Sequence, residues 1–254
     1  MHRLPPSFTS VCCVQYIALR LLGVASTAPP IVKARSFLHA HGGALYTASW
    51  CKFYLCILGL MPWIGHSSVP PEMFLLPNWF PFHPGRMWCH ARMVYLPMSY
   101  LFGSRFVYGG AATDPLISEL REELYTTPYE LIDFGITRHY VADIDNYSPL
   151  PAVMRVIQNV LQVYETSELL RPVRDFVRSR GLKFAAEYMK AEDLQTNYIN
   201  IGPVSKVLNM LSTMNQSGCG VDLLRHVGRI DDYLWVAEDG MKMQGYNGSQ
   251  VREK

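Results

Sequence analysis

Fourteen residues in the first half of the chain concentrate reactive side-chain types. Met87 to Tyr100 reads MWCHARMVYLPMSY, with an indole, a thiol, an imidazole, a guanidinium and two phenols. A zinc site would need about four ligands at recognised spacing, and His83, Cys89 and His90 do not make such a set. A thiol–imidazole nucleophile fails on geometry. Helix neighbours point about 100° apart, so Cys89 and His90 do not face each other. Two readings stay open. One is a helix whose aromatics pack inward, with His90 satisfied by hydrogen bonds. The other takes Trp88, Ala91 and Tyr95, which share a face at i, i+3 and i+7 that Met98 and Ser99 extend, as one wall of an apolar cavity. Aromatic faces stabilise a cation in a desolvated space, so such a wall suits a substrate that becomes a carbocation.

These residues must be positioned by helices. Pro30-Ile31-Val32 opens a stripe that Gly42-Gly43 closes, with proline inside the start and glycine past the end. Asp114-Pro115 opens a second, with Leu116, Leu120 and Leu124 on one face. Thr127-Pro128-Tyr129-Glu130 reads as a capping box. Val153 to Tyr164 and Leu169 to Val177 follow at helical spacing, the latter predicted to stop at Gly181. Val204, Val207, Leu208, Leu211 and Met214 form a last stripe. No stretch alternates long enough to claim a sheet. An all-α chain of short paired helices is expected, as a bundle, a solenoid or an α/α toroid.

Composition narrows the partners. Charged residues make up 17% of the 254 and aromatics 12%, which suits buried or lipid-facing surface. The net charge of +2 hides an asymmetry: residues 1–110 hold eight Lys/Arg against Glu72 alone, whereas residues 111–254 hold fifteen against twenty acids. The basic residues are scattered among apolar ones and form no stripe, so nucleic acid is not expected and a membrane surface is. Val69 to Gly85, VPPEMFLLPNWFPFHPG, carries five prolines that forbid a regular helix. It also carries Met73, Phe74, Leu75, Leu76, Trp79, Phe80 and Phe82, expected either to fold over the core or to contact lipid. The apolar run Val11 to Val24 is broken by Gln15 and Arg20 and is too short to span a bilayer. Six cysteines without a CxxC pair give no disulfide framework, and the chain is not expected to be secreted.

MWCHARMVYLPMSY resembles the WCHxRxVYLPMSY signature of the oxidosqualene cyclases (terpene cyclase/mutase family), closest to lanosterol synthases. Further matching blocks run in order: Tyr16 to Gly23, His41-Gly42-Gly43 through Ser49 to Phe53, Pro71-Glu72-Met73 and Pro77-Asn78-Trp79. Ile201 to Lys206, Asp232 to Trp235 and Asp239 to Gln250 follow. Residues 1–13 diverge. The resemblance implies an α/α toroid, with residues 1–230 most of a first toroid and 231–254 the beginning of a second. It implies a squalene-type lipid substrate, no cofactor and no metal. Monotopic contact with the endoplasmic reticulum membrane or a lipid droplet is implied too. Trp50, Trp88, His90 and Trp235 would line the cyclisation cavity, and Ala91 and Tyr95 would sit near the channel constriction. Many members carry Cys where this chain has Ala91.

The reaction so implied converts 2,3-oxidosqualene to lanosterol and starts when a strong acid protonates an epoxide. The family draws that acid from an Asp-Cys-Thr-Ala motif, and the 254 residues contain none; Asp231 and Asp232 do not sit in that context. No catalytic residue is therefore assigned. The chain is expected to be a truncated cyclase, inactive alone. The alternatives are a non-catalytic membrane- or lipid-binding isoform, with a full-length cyclase as a possible partner, or another toroid such as a prenyltransferase subunit, whose zinc ligands cannot be assembled here.

Overall fold

The computed structural model describes residues 8–80, 83–146, 149–238 and 240–243. Ten α-helices are found among them: α1 (Phe8–Leu21), α2 (Pro29–Ala40), α3 (Ser49–Ile57), α4 (Cys89–Gly103), α5 (Pro115–Leu124), α6 (Phe134–Thr137), α7 (Ala152–Thr166), α8 (Arg171–Gln195), α9 (Pro203–Ser217) and α10 (Val221–Val227). The all-α expectation holds with one local exception. The strands β1 (Leu234–Ala237) and β2 (Gly240–Met243) form an antiparallel ribbon in which Trp235 pairs with Lys242. The ribbon is too short for the period-two alternation a strand search needs.

The chain divides into two compact units, Met1–Ser68 with Val107–Val163 and Val69–Phe106 with Tyr164–Lys254. In the first, α1 packs on α2, α3 and α5. Tyr16, Ile31, Phe53, Leu55, Ile117 and Leu120 fill its core. Asp145 holds the start of α1, accepting from the backbone N–H groups of Thr9 and Ser10 and from the Thr9 hydroxyl. Asp114 caps α5 by accepting from the Leu116 N–H at 3.0 Å, with Pro115 at the first helical position as the sequence predicts.

The Thr127 capping box does not form. Pro128 is extended (ψ 132°), and Tyr129–Leu131 makes only a 3₁₀ turn. The helix starts later, at Asp133, whose carboxylate accepts from the Gly135 and Ile136 N–H groups at 2.9 and 3.2 Å. Aromatic packing decides this. Tyr125, Tyr129 and Phe134 pack mutually, edge-on or tilted, with centroids 5.1–5.8 Å apart, which the extended link permits.

In the second unit α4 packs on α8 and α9, and α8 packs on the 3₁₀ turn Pro71–Leu75. Gly181 does not end a helix; α8 runs through it for 25 residues. A Cβ there would lie 2.9 Å from the Pro71 carbonyl carbon, and one at Gly103 of α4 would lie 2.8 Å from the Pro71 ring. The two glycines make a seat for Pro71, so Gly181 is set by tertiary approach at a helix-propensity cost of about 1 kcal/mol.

The α8–α9 turn is held by a buried polar network. Lys206 donates to the Tyr198 carbonyl and to His226 Nδ1 (3.0 Å), and His226 Nε2 donates to Asp193 (3.2 Å). Asn200 donates to Asp193 at 2.7 Å and Asn209 to Glu192 at 2.9 Å. The turn contains three non-glycine residues in the left-handed region, Asn197, Tyr198 and Asn200 (φ 50°, 63° and 66°).

Candidate functional site

The residues of the face predicted on α4 are graded in exposure. Trp88 is the N-cap, with its ring 70% exposed and tilted against His90 at 4.5 Å between centroids. His90 is also exposed, Ala91 and Tyr95 are half-buried, and Met98 and Ser99 are buried. Exposure thus falls along the segment, from Trp88 and His90 at its start to Met98 and Ser99 in the core. Pro97 inside α4 leaves the Met93 carbonyl without its helical donor. His83, one of the weighed zinc ligands, is used otherwise: its Nδ1 accepts from the Gly85 N–H at 2.9 Å and caps a 3₁₀ turn. Among the described residues no group of three or more His, Cys, Asp or Glu is placed to hold a metal ion. All six cysteines are free thiols.

Beside α4 lies an apolar cavity of about 190 Å³ lined by Phe74, His83, Arg92, Leu96, Phe184 and Tyr188. Phe74 stacks on Phe184 with centroids 6.5 Å apart, and Phe184 lies tilted against Tyr188 at 6.0 Å. Tyr95 packs with Met73 against the cluster of Phe74, Leu96, Ala185 and Met189. The aromatic contribution of α8 was not foreseen. Phe184 and Tyr188 sit at i and i+4, a spacing that could have drawn attention to them.

The proline-rich segment is divided in its exposure. Phe74 is buried and anchors it, and Met73 is half-buried. Leu75 and Trp79 are exposed, Trp79 to 75%, with Leu76 and Phe80 half-buried. Phe82 lies outside the described residues. An ion cluster fixes the anchored end. Arg178 of α8 donates to Glu72 at 2.9 Å and to Glu165 at 2.6 and 3.0 Å. Arg105 donates to Glu165 at 2.6 Å and the Tyr164 hydroxyl to Glu72 at 2.9 Å. Burial and the Glu72 carboxylate push the Tyr164 phenol well above its ordinary range. Desolvation works against the charged Arg178, yet its two carboxylates outweigh it and raise its pKa.

Trp50 belongs to the first unit, in the first turn of α3, and is 41% exposed. Two residues on, Lys52 is 1% exposed, and its ammonium donates to the carbonyls of Thr137, Arg138 and Tyr140 at 3.0, 3.2 and 2.8 Å. Burial lowers its pKa to about 7. It thereby satisfies carbonyl groups at the end of α6, a role the sequence signals only as the single charge in SWCKFYLCI. Trp88, His90, Ala91 and Tyr95 belong to the second unit. Trp235 does too, its backbone in the ribbon and its side chain outside the described part.

Residues 7–239 match the family model of the squalene–hopene cyclase N-terminal domain. The chain is 42% identical over 238 residues to cycloartenol synthase of Dictyostelium discoideum, covering 94% of this chain and 33% of that protein. It is 42% identical over 239 residues to lanosterol synthase of Homo sapiens, covering 94% and 32%. For lanosterol synthase erg7A of Aspergillus fumigatus the identity is 40% over 240 residues, covering 94% and 31%. The chain spans about a third of the length of these relatives. A helical chain carrying the WCH stripe on α4, matched along nearly its whole length in this way, belongs to the oxidosqualene cyclase family through its squalene–hopene cyclase N-terminal domain.

Proposed function

We propose that the chain forms part of the lipid-handling wall of a triterpene cyclase of sterol synthesis, with 2,3-oxidosqualene as the substrate class. The carrying observation is the α4 segment, whose exposure falls from Trp88 and His90 through half-buried Ala91 and Tyr95 to buried Met98 and Ser99. Trp50, Trp88, His90 and Trp235 would face the reacting polyene and hold positive charge by their electron-rich faces. Ala91 and Tyr95 would border the substrate's entry. Residues 1–230 would make most of one toroid and 231–254 begin another. The 254 residues carry no Asp-Cys-Thr-Ala acid, so they supply shape and electrostatics without the proton that opens the epoxide.

A second reading draws on the exposed Leu75 and Trp79, which favour peripheral contact with an endoplasmic reticulum or lipid-droplet surface. No helix among the described residues is long and apolar enough to cross a membrane. The test gives the purified 254-residue chain 2,3-oxidosqualene in detergent and follows lanosterol and Trp fluorescence together. No sterol is expected, with quenching by substrate that Trp88→Phe reduces. Sterol above a protein-free control would refute the inactivity, and quenching indifferent to Trp88 would refute the wall.

A further inference from the structure

The first unit holds a second cavity, of about 440 Å³, whose lining combines basic and apolar side chains. Arg138, His139 and Arg155 are its basic members, and Trp50 and Leu150 are among its apolar ones. The Arg138 guanidinium donates to His139 Nε2 (3.0 Å), to the Gly135 carbonyl (3.1 Å) and to Asn159, none of them a carboxylate. Arg155 has no side-chain hydrogen bond or ion pair among the described residues, and it is exposed. The one carboxylate in the lining, Asp145, is taken up by the start of α1. Helix α3 opens at the rim without a capping side chain and without an acid in its first turn.

Two guanidiniums therefore share a concave space with one carboxylate, Asp145, among its described lining residues, which leaves positive charge in excess. Their field is felt at His139, whose pKa falls below the ordinary value through burial and then through Arg138, Lys52 and Arg155. Arg138 Nε donates to His139 Nε2, so the neutral imidazole carries its proton on Nδ1 and stays a donor. Planar guanidinium forks and a neutral N–H donor match the oxygens of a phosphate group. Trp50 and Leu150 would offer apolar surface to a hydrocarbon body, which is how small-molecule sites join apolar walls to few polar groups.

We propose that this cavity binds the phosphate group of a partly apolar phosphate monoester, with Arg155 and Arg138 on the phosphate and Trp50 against the hydrocarbon. The site lies wholly in the first unit and shares with the cyclase reading above only Trp50, for which the two ligands would compete. The phosphate can belong to a soluble ester or to a lipid headgroup. Calorimetric titration of the 254-residue chain with hexyl phosphate, inorganic phosphate and hexanol tests the site. Co-sedimentation with phosphatidate and phosphatidylcholine vesicles then identifies the source. Saturable binding of hexyl phosphate is expected, with inorganic phosphate about tenfold weaker and hexanol inert. Arg155→Glu should lose at least about tenfold, or about 1.4 kcal/mol; the exposed side chain lets the variant fold, which circular dichroism verifies. Phosphatidate sedimentation that Arg155→Glu abolishes supports the headgroup, and hexyl phosphate binding without it supports the soluble ester. Hexyl phosphate binding unchanged in Arg155→Glu, binding of hexanol as tight as its phosphate, or no saturable heat would each overturn the proposal.

Discussion

Replacing Arg178 by Met tests what holds the proline-rich segment. The side chain is 11% exposed, and its guanidinium makes three bonds to two carboxylates, of which Glu165 has a side chain only 4% exposed. Removing one partner of a buried ion pair costs about 3–5 kcal/mol, because the other charge stays desolvated. Here Glu165 keeps Arg105 at 2.6 Å and Glu72 keeps the Tyr164 hydroxyl at 2.9 Å. The loss should therefore sit at the low end, about 3 kcal/mol. Urea unfolding followed by far-ultraviolet circular dichroism measures it. The triple change Arg178→Met, Glu72→Gln, Glu165→Gln should recover part of the loss, since neutral amides tolerate the pocket better than bare carboxylates. Trypsin should cut sooner after exposed Arg86 in the single variant. A loss under about 1 kcal/mol, with unchanged cleavage, would mean the cluster does not fasten the segment.

Two further changes probe other parts of the frame. Gly181→Ala should destabilise by about 1–3 kcal/mol despite better helix propensity, because its methyl would meet the Pro71 backbone at about 3 Å; a stability gain in thermal unfolding would contradict the seat. Lys52 titrates near pH 7 when folded and near 10.5 when unfolded, so between those values the unfolded chain holds the extra proton and stability climbs with pH. From about pH 6 to about pH 9 that amounts to roughly 2–3 kcal/mol. Lys52→Met should lose this rise in urea titrations while keeping a smaller one from Lys206, whose pKa burial lowers to about 8. An identical rise in Lys52→Met would show that the buried ammonium is not its source.

Helices α2, α5, α7 and α9 were legible because each carries its own start signal or apolar stripe within a dozen or so residues. The stop at Gly181 and the cap at Thr127 misread the chain for one shared reason. Both depend on a partner far away in sequence, Pro71 in the first case and the Tyr125–Phe134 aromatic group in the second. The α4 stripe was legible from spacing, and its gradient of exposure was not, because spacing fixes direction and says nothing of depth. Arg178 and Glu72 are 106 residues apart, and the second cavity draws on α3, α7 and the loop between α6 and α7. No local pattern announces groups that only tertiary folding gathers.

The left-handed turn between α8 and α9 bears on the order in which the second unit assembles. Each such backbone costs about 1 kcal/mol or more when nothing holds it. Its fastenings come from residues further along: Lys206, His226 and the Tyr233 hydroxyl on the Ile199 carbonyl. A nascent chain that has made α8 but not yet residue 233 lacks the last of these fastenings. The turn is thus a late-closing joint, and once it has closed the buried amides of Tyr198 and Asn200, bonded to the Asp193 carbonyl and the Thr196 hydroxyl, should exchange slowly with deuterium.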